Sequence, residues 1–163
     1  MFKRIYIGSD HGGYVTKRAV VEHLRGNGFD VVDVGCDSEE IVRYPYYAAL
    51  VCNAVQKGDA DAGILICSTG IGMSIAANKF RGIRAALCTS HIMAKMTRLH
   101  NDTNVLCLGG KVSGNFEIID MVDAWVCGSF EGGRHKISLA MIAGGEETTM
   151  KAEGWQPPQD LEL

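Results

Sequence analysis

Short apolar runs alternate with amphipathic stretches along most of the chain. Residues 4–8 (Arg-Ile-Tyr-Ile-Gly) read as a strand that stops at Ser9-Asp10-His11-Gly12-Gly13. Tyr14, Lys17, Val21 and Leu24 then fall on one stripe, which predicts a helix over 14–25 ended by Gly26-Asn27-Gly28. Residues 30–34 form a second strand. Pro45 opens a helix to about 57, with Tyr47, Ala48, Val51, Ala54 and Val55 at helical spacing. Residues 63–67 (Gly-Ile-Leu-Ile-Cys) are apolar without alternation, as in a strand covered on both faces. A turn at 68–72 leads into a helix to about 79. Strands at 83–88 and 104–108 flank a helix at 90–100, and helices over 115–127 and 134–143 close the pattern. The end of the chain, with Pro157-Pro158 and 160–163, reads as an irregular tail.

Strand alternating with helix five times predicts a doubly wound, Rossmann-like α/β sandwich of three layers around a five-stranded parallel sheet. Residues 1–143 make one domain, and 144–163 a C-terminal extension. Ligands of such sheets bind at the carboxyl ends of the strands. Those ends are residues 9–13, 67–70, 88–91 and 109–111, where glycine and polar residues concentrate.

Composition narrows the function. With 163 residues, 47% hydrophobic and 21% charged, the chain is that of a globular domain. The net charge of −3 offers no basic face for nucleic acid. No apolar run approaches the roughly 20 residues that span a bilayer. Residues 1–8 lack the apolar core of a signal peptide, so a cytoplasmic location is expected. The six cysteines (36, 52, 67, 88, 107 and 127) show no CxxC spacing, and most lie in apolar segments as small buried side chains.

Cys67 is the exception. Cys67-Ser68-Thr69-Gly70-Ile71-Gly72-Met73-Ser74 follows a buried strand and opens a helix, where free N–H groups and the helix dipole favour negative charge. A thiolate would be stabilised there. A plain helix-entry turn with a buried cysteine fits the spacing equally well. The loop matches neither GxxxxGK[ST] nor GxGxxG, which disfavours ATP and NAD. Asp10-His11 suits proton exchange or anion binding, or a helix cap. His100 reads as a helix-terminal histidine, and His23 and His91 as structural ones. Gly132-Gly133-Arg134-His135-Lys136 places potential cations at a helix N-terminus, against the dipole, which suits a phosphate clamp better than a solvated turn.

Together these loops resemble the type B ribose 5-phosphate isomerase family, which includes the galactose 6-phosphate isomerase subunits. The resemblance runs from about residue 4 to 142. It is carried by Gly8-Ser9-Asp10-His11-Gly12-Gly13, Asp33-Val34-Gly35, Tyr44-Pro45, the segment 63–79, Gly82-Ile83-Arg84-Ala85-Ala86, His100-Asn101-Asp102-Thr103-Asn104, Val122-Asp123-Ala124-Trp125 and Glu131-Gly132-Gly133-Arg134-His135. It implies interconversion of aldose and ketose sugar phosphates through a cis-enediolate, without metal or organic cofactor. The implied assembly is a homodimer or a tetramer of dimers whose sites are shared between chains. By resemblance, Cys67 is the base and Thr69 manages the proton on the substrate oxygens. The amides of Gly70, Ile71, Gly72 and on to Ser74 face the enediolate. Asp10 and His100 open the sugar ring, and Asn101 holds hydroxyls. His11 and Arg134 hold phosphate with help from His135, Arg134 and its neighbours acting across the dimer. Met73 stands where another branch of the family carries a glutamate base.

Three positions depart from the pattern. Ser68 replaces a glycine, Lys111 an arginine, and Ser138 a second phosphate-binding arginine one turn after Arg134. The departures suggest a re-cut phosphate end, and a tetrose or hexose phosphate as alternative substrate. A non-catalytic sugar-phosphate binder of the same fold is the second reading, and a redox sensor using Cys67 the third.

Overall fold

The structure, a computed structural model, describes residues 2–152 and 155–156. The tail expected at 157–163 lies outside the described residues. Five strands, β1 (Arg4–Ser9), β2 (Asp30–Asp33), β3 (Ala62–Cys67), β4 (Ala85–Leu87) and β5 (Val105–Gly109), alternate with helices α1 (Tyr14–Gly26), α2 (Tyr44–Lys57), α3 (Ile71–Ala77), α4 (His91–Asn101), α5 (Asn115–Val126) and α6 (His135–Thr149). All strand pairs are parallel, in the order β2-β1-β3-β5-β4. The expected doubly wound architecture is present.

Successive residues of a strand point to opposite faces, and the two cores separate accordingly. Ile5, Ile7, Ile64, Ile66, Leu106 and Leu108 pack with Val20 and Leu24 of α1, Ala94 of α4, and Ile118, Val122 and Trp125 of α5. Leu65, Cys67, Val105 and Cys107 face α2 and α3, against Ala48, Val51, Cys52, Met73 and Ala77. Both faces of β3 are therefore covered, which explains its unbroken apolar run. Trp125 is fully buried, and its indole N–H donates to Thr103 Oγ1 at 2.8 Å.

Element ends differ from expectation where side chains intervene. Strand β4 is shorter than 83–88 because Arg84 N donates to Asn104 Oδ1 rather than to a ladder partner, and Asn78 brackets Ala85 with both ends of its amide. Helix α6 runs through Gly144-Gly145 and past residue 143 to Thr149. Glu146 accepts from Gly82 N at 2.9 Å, Glu147 pairs with Arg81, and the Thr148 and Thr149 hydroxyls donate to Gly145 O. Beyond it, Trp155 returns to the α2 side, where its carbonyl accepts from Asn53 Nδ2 at 3.2 Å and its ring meets Phe80. Cys127 is exposed, unlike the other five cysteines, because it caps α5 outside the core.

Helix α6 buries none of its residues; Ile137, Met141 and Ile142 remain exposed. A helix of this length is marginal on its own, and these three apolar side chains stay largely uncovered among the described residues.

Candidate active site at the strand ends

The chain leaves β1 toward β2 on one side and enters β3 on the other, so the sheet's switch point lies between β1 and β3. Sheets of this kind bind their ligands at that point, in a crevice outside the carboxyl ends of the strands. Cys67 is the last residue of β3, opposite Gly109 of β5. Three loops close on it. Asp10 N donates to Ile66 O at 3.2 Å, Gly110 N to Cys67 O at 2.8 Å and Lys111 N to Ser68 O at 3.0 Å. The fourth predicted loop, after β4, sits at the sheet edge. There Ser90 caps α4 and His91 pairs with Asp120. His23 likewise pairs with Asp123, in keeping with the structural role expected of both histidines.

The Cys67 loop is built around Gly70, whose φ of 77° only glycine adopts freely. That conformation turns the Gly70 amide back to donate to Cys67 Sγ at 3.0 Å. Among the described residues, no other cysteine sulfur accepts a backbone N–H. Its polarity is the one a thiolate requires. Three other buried sulfurs hold their protons more tightly than a free thiol does. Burial pushes the Cys52 thiol up to about 12 and the Cys88 thiol up to about 11. Burial, with neighbouring cysteines, holds Cys107 well above its ordinary value.

The expectation that every amide from Gly70 to Ser74 faces a ligand needs correction. Gly70 N is committed to Cys67, Ile71 N donates to Thr69 Oγ1 at 3.3 Å, and Ser74 N donates to Gly70 O at 3.0 Å. Only Gly72 and Met73 keep amides without a partner among the described residues. Thr69 Oγ1 accepts from Ile71, so its own proton remains available. Ser68 is accommodated by its neighbour across the loop. Its hydroxyl lies against Gly12, where a Cβ would overlap Oγ, so the glycine makes room for the departure.

Asp10 is buried, and its Oδ1 accepts from the Gly12 and Gly13 amides at 2.9 and 3.2 Å. It folds its own loop rather than capping α1. His11 Nδ1 accepts from Val42 N at 3.3 Å, which fixes the orientation of the ring. Lys17, on the apolar stripe of α1, is fully buried. Its ammonium binds Asp33 and Cys36 O, the latter at 2.8 Å, and Gly35 O and Ser9 O exchange hydrogen bonds with Ser9 N and Cys36 N. This brace behind Asp10 and His11 was signalled only by a lysine where an apolar residue belongs.

His100, Asn101, Arg134, His135 and Ser138 lie elsewhere. Asn101 ends α4 just before β5 begins, so it stands at the amino edge of the sheet, while Cys67 faces the end of β5. The strand between spans about 13 Å. There the His100 and His135 rings stack at 4.1 Å and 14°, His100 Nε2 lies 3.7 Å from Glu131 Oε2, and Glu131 N donates to Leu99 O at 3.0 Å. Arg134, Lys136 and Ser138 are exposed beside them. One nitrogen from each histidine and a Glu131 oxygen come within 4.8 Å of one another, a donor set able to hold a metal ion. Sequence reasoning had not given Glu131 a role.

Residues 5–142 match the family model described as Ribose/Galactose Isomerase. The chain belongs to that family. It is 48% identical to ribose-5-phosphate isomerase B of Escherichia coli strain K12 over 146 residues, covering 89% of this chain and 97% of that one. It superposes on the Clostridium thermocellum ribose-5-phosphate isomerase B with a TM-score of 0.88 at 47% identity, over 90% of this chain and 99% of the other. The Mycoplasma genitalium ribose-5-phosphate isomerase B, solved with bound ribulose-5-phosphate, gives 0.85 at 42% identity, over 88% and 96%. Among the described residues, no helix is long and apolar enough to cross a membrane.

Proposed function

We propose that this member of the ribose/galactose isomerase family interconverts ribose 5-phosphate and ribulose 5-phosphate by proton transfer through a cis-enediolate. The observation that carries the mechanism is the Gly70 amide donating to Cys67 Sγ at the mouth of the switch-point crevice. Cys67 takes the proton from one carbon and returns it to its neighbour. The free amides of Gly72 and Met73 receive the enediolate oxygen, where preorganised donors act most strongly. Thr69 passes the proton between the substrate oxygens.

A second copy completes the site. His100 opens the sugar ring together with Asp10, Asn101 holds hydroxyls, and Arg134 with His135 holds phosphate. The first, third and last two of these stand at the amino edge of the sheet, so they reach a Cys67 crevice only from a neighbouring chain. The exposed Ile137, Met141 and Ile142 of α6 suit the contact between the two copies. Lys111, whose amide is bonded to Ser68, adds a cation on the Cys67 side.

The test is a panel of ribose, allose, galactose and tetrose phosphates in heavy water, with exchange at C1 and C2 followed by NMR. Exchange is expected on ribose 5-phosphate, lost by at least about 100-fold in Cys67→Ala, the scale of a general base. Cys67-independent exchange, or none on any sugar, would reject the reading.

A further inference from the structure

We propose that His100, Glu131 and His135 form a binding site for a divalent transition cation of the zinc type, and that filling it inhibits the isomerase. The inhibitory half rests on the role given above to His100; the binding half rests on geometry. Two imidazole nitrogens and one carboxylate oxygen lie within 4.8 Å of one another. Two histidines and a glutamate are a known three-ligand set for zinc, which leaves a fourth position for water or a ligand oxygen. Tetrahedral zinc with bonds near 2.1 Å needs donors about 3.4 Å apart, so side-chain shifts of about 1–1.5 Å would close the set. The histidines are partly buried, and Glu131 is exposed, so an ion has a path to the site.

The three residues come from separate segments held in register by the backbone. Glu131 N is bonded to Leu99 O, next to His100, and His135 N to Gly132 O, next to Glu131. The stack between His100 and His135 presents the two ring edges side by side. The other histidine–carboxylate pairs, His23 with Asp123 and His91 with Asp120, have one imidazole each and lack this convergence. Borderline cations such as Zn²⁺ and Co²⁺ prefer this nitrogen-rich set, whereas Mg²⁺ and Ca²⁺ prefer oxygen. An imidazole bound to metal has given up the lone pair that proton transfer needs, so the cation opposes the reaction.

The experiment titrates chelator-treated full-length protein with Co²⁺, read by its visible spectrum, and then displaces it with Zn²⁺. One equivalent per chain is expected, without the near-ultraviolet absorption of a cobalt–thiolate bond. Glu131→Gln and His135→Gln should each weaken binding by more than about tenfold, the loss that even an outer-shell partner produces. His91→Gln should leave it unchanged. Zn²⁺ should inhibit wild-type turnover reversibly, and Glu131→Gln should need at least about tenfold more Zn²⁺ for the same inhibition. A thiolate band, or equal affinity in wild type and both variants, would overturn the site. Binding at the site without inhibition of an active enzyme would overturn the role of His100 and leave the site standing.

Discussion

At the scale of single residues, the chemistry proposed for Cys67 depends on where one amide points. Gly70 holds φ at 77°, and a Cβ there would meet Leu87 Cδ1 at 2.5 Å and the Leu108 carbonyl carbon at 2.9 Å. Gly70→Ala is therefore expected to cost at least about 1–2 kcal/mol from the left-handed backbone alone. It should also lower turnover by taking the amide off Cys67, measurable as a fall in both urea midpoint and kcat. Ser138 bears on affinity instead. It is exposed one turn beyond Arg134 on α6. Ser138→Arg is expected to lower KM for ribose 5-phosphate by about tenfold or more, the worth of one charge-assisted hydrogen bond, with kcat little changed. Position alone marked Cys67 and Asp10 as candidates, because strand ends next to glycine are where this fold binds, while the roles proposed for them and for Thr69 came from the family resemblance. Which loop amides stay free was not legible, since that depends on the turn Gly70 makes.

Among the elements, α1 and β2 are joined by an ion pair that hydrophobic patterning misread. Lys17 occupies an apolar stripe position yet carries its charge to Asp33 and the Cys36 carbonyl, behind the loop holding Asp10 and His11. Lys17→Met strands Asp33, which keeps some solvent contact, so destabilisation near the low end of the range for broken buried pairs, about 3 kcal/mol, is expected. Adding Asp33→Asn should recover part of that loss in urea unfolding. Periodicity found all eleven elements and placed most ends within two residues. It failed at α6, expected to end at residue 143 and found to continue through Gly144-Gly145 to Thr149. Contacts from the turn at Arg81 and Gly82 keep the helix going, and such long-range partners leave no local pattern.

For the molecule as a whole, the alternation of strand and helix announced the doubly wound sheet. The order of the strands was not legible, because crossover direction is decided by packing rather than by local sequence. The sequence named a set of candidate residues and not a place: half of the set stands at the opposite edge of the sheet. Global stability carries its own pH signature. Cys52 and Cys88 hold their protons to about 12 and about 11, and Cys107 also well above 9.0, whereas an unfolded chain releases them near 9.0. The folded state thus binds more protons than the unfolded one above that point. Stability should be full below pH 9 and fall between about 9 and 11, by roughly 1 kcal/mol per thiol per pH unit. Urea unfolding under reducing conditions measures this, and Cys52→Ala should flatten the slope.

The proposed sharing of the site between two chains, with Cys67 and His100 separated by the length of β5, has a genetic consequence. Two alleles, one encoding Cys67→Ala and the other His100→Ala, would each be inactive alone. Expressed together, the chains would pair at random, and each mixed dimer would contain one crevice with both groups intact. Co-expression should then restore roughly a quarter of wild-type activity per dimer. A single allele carrying both changes, paired with either one, should restore none.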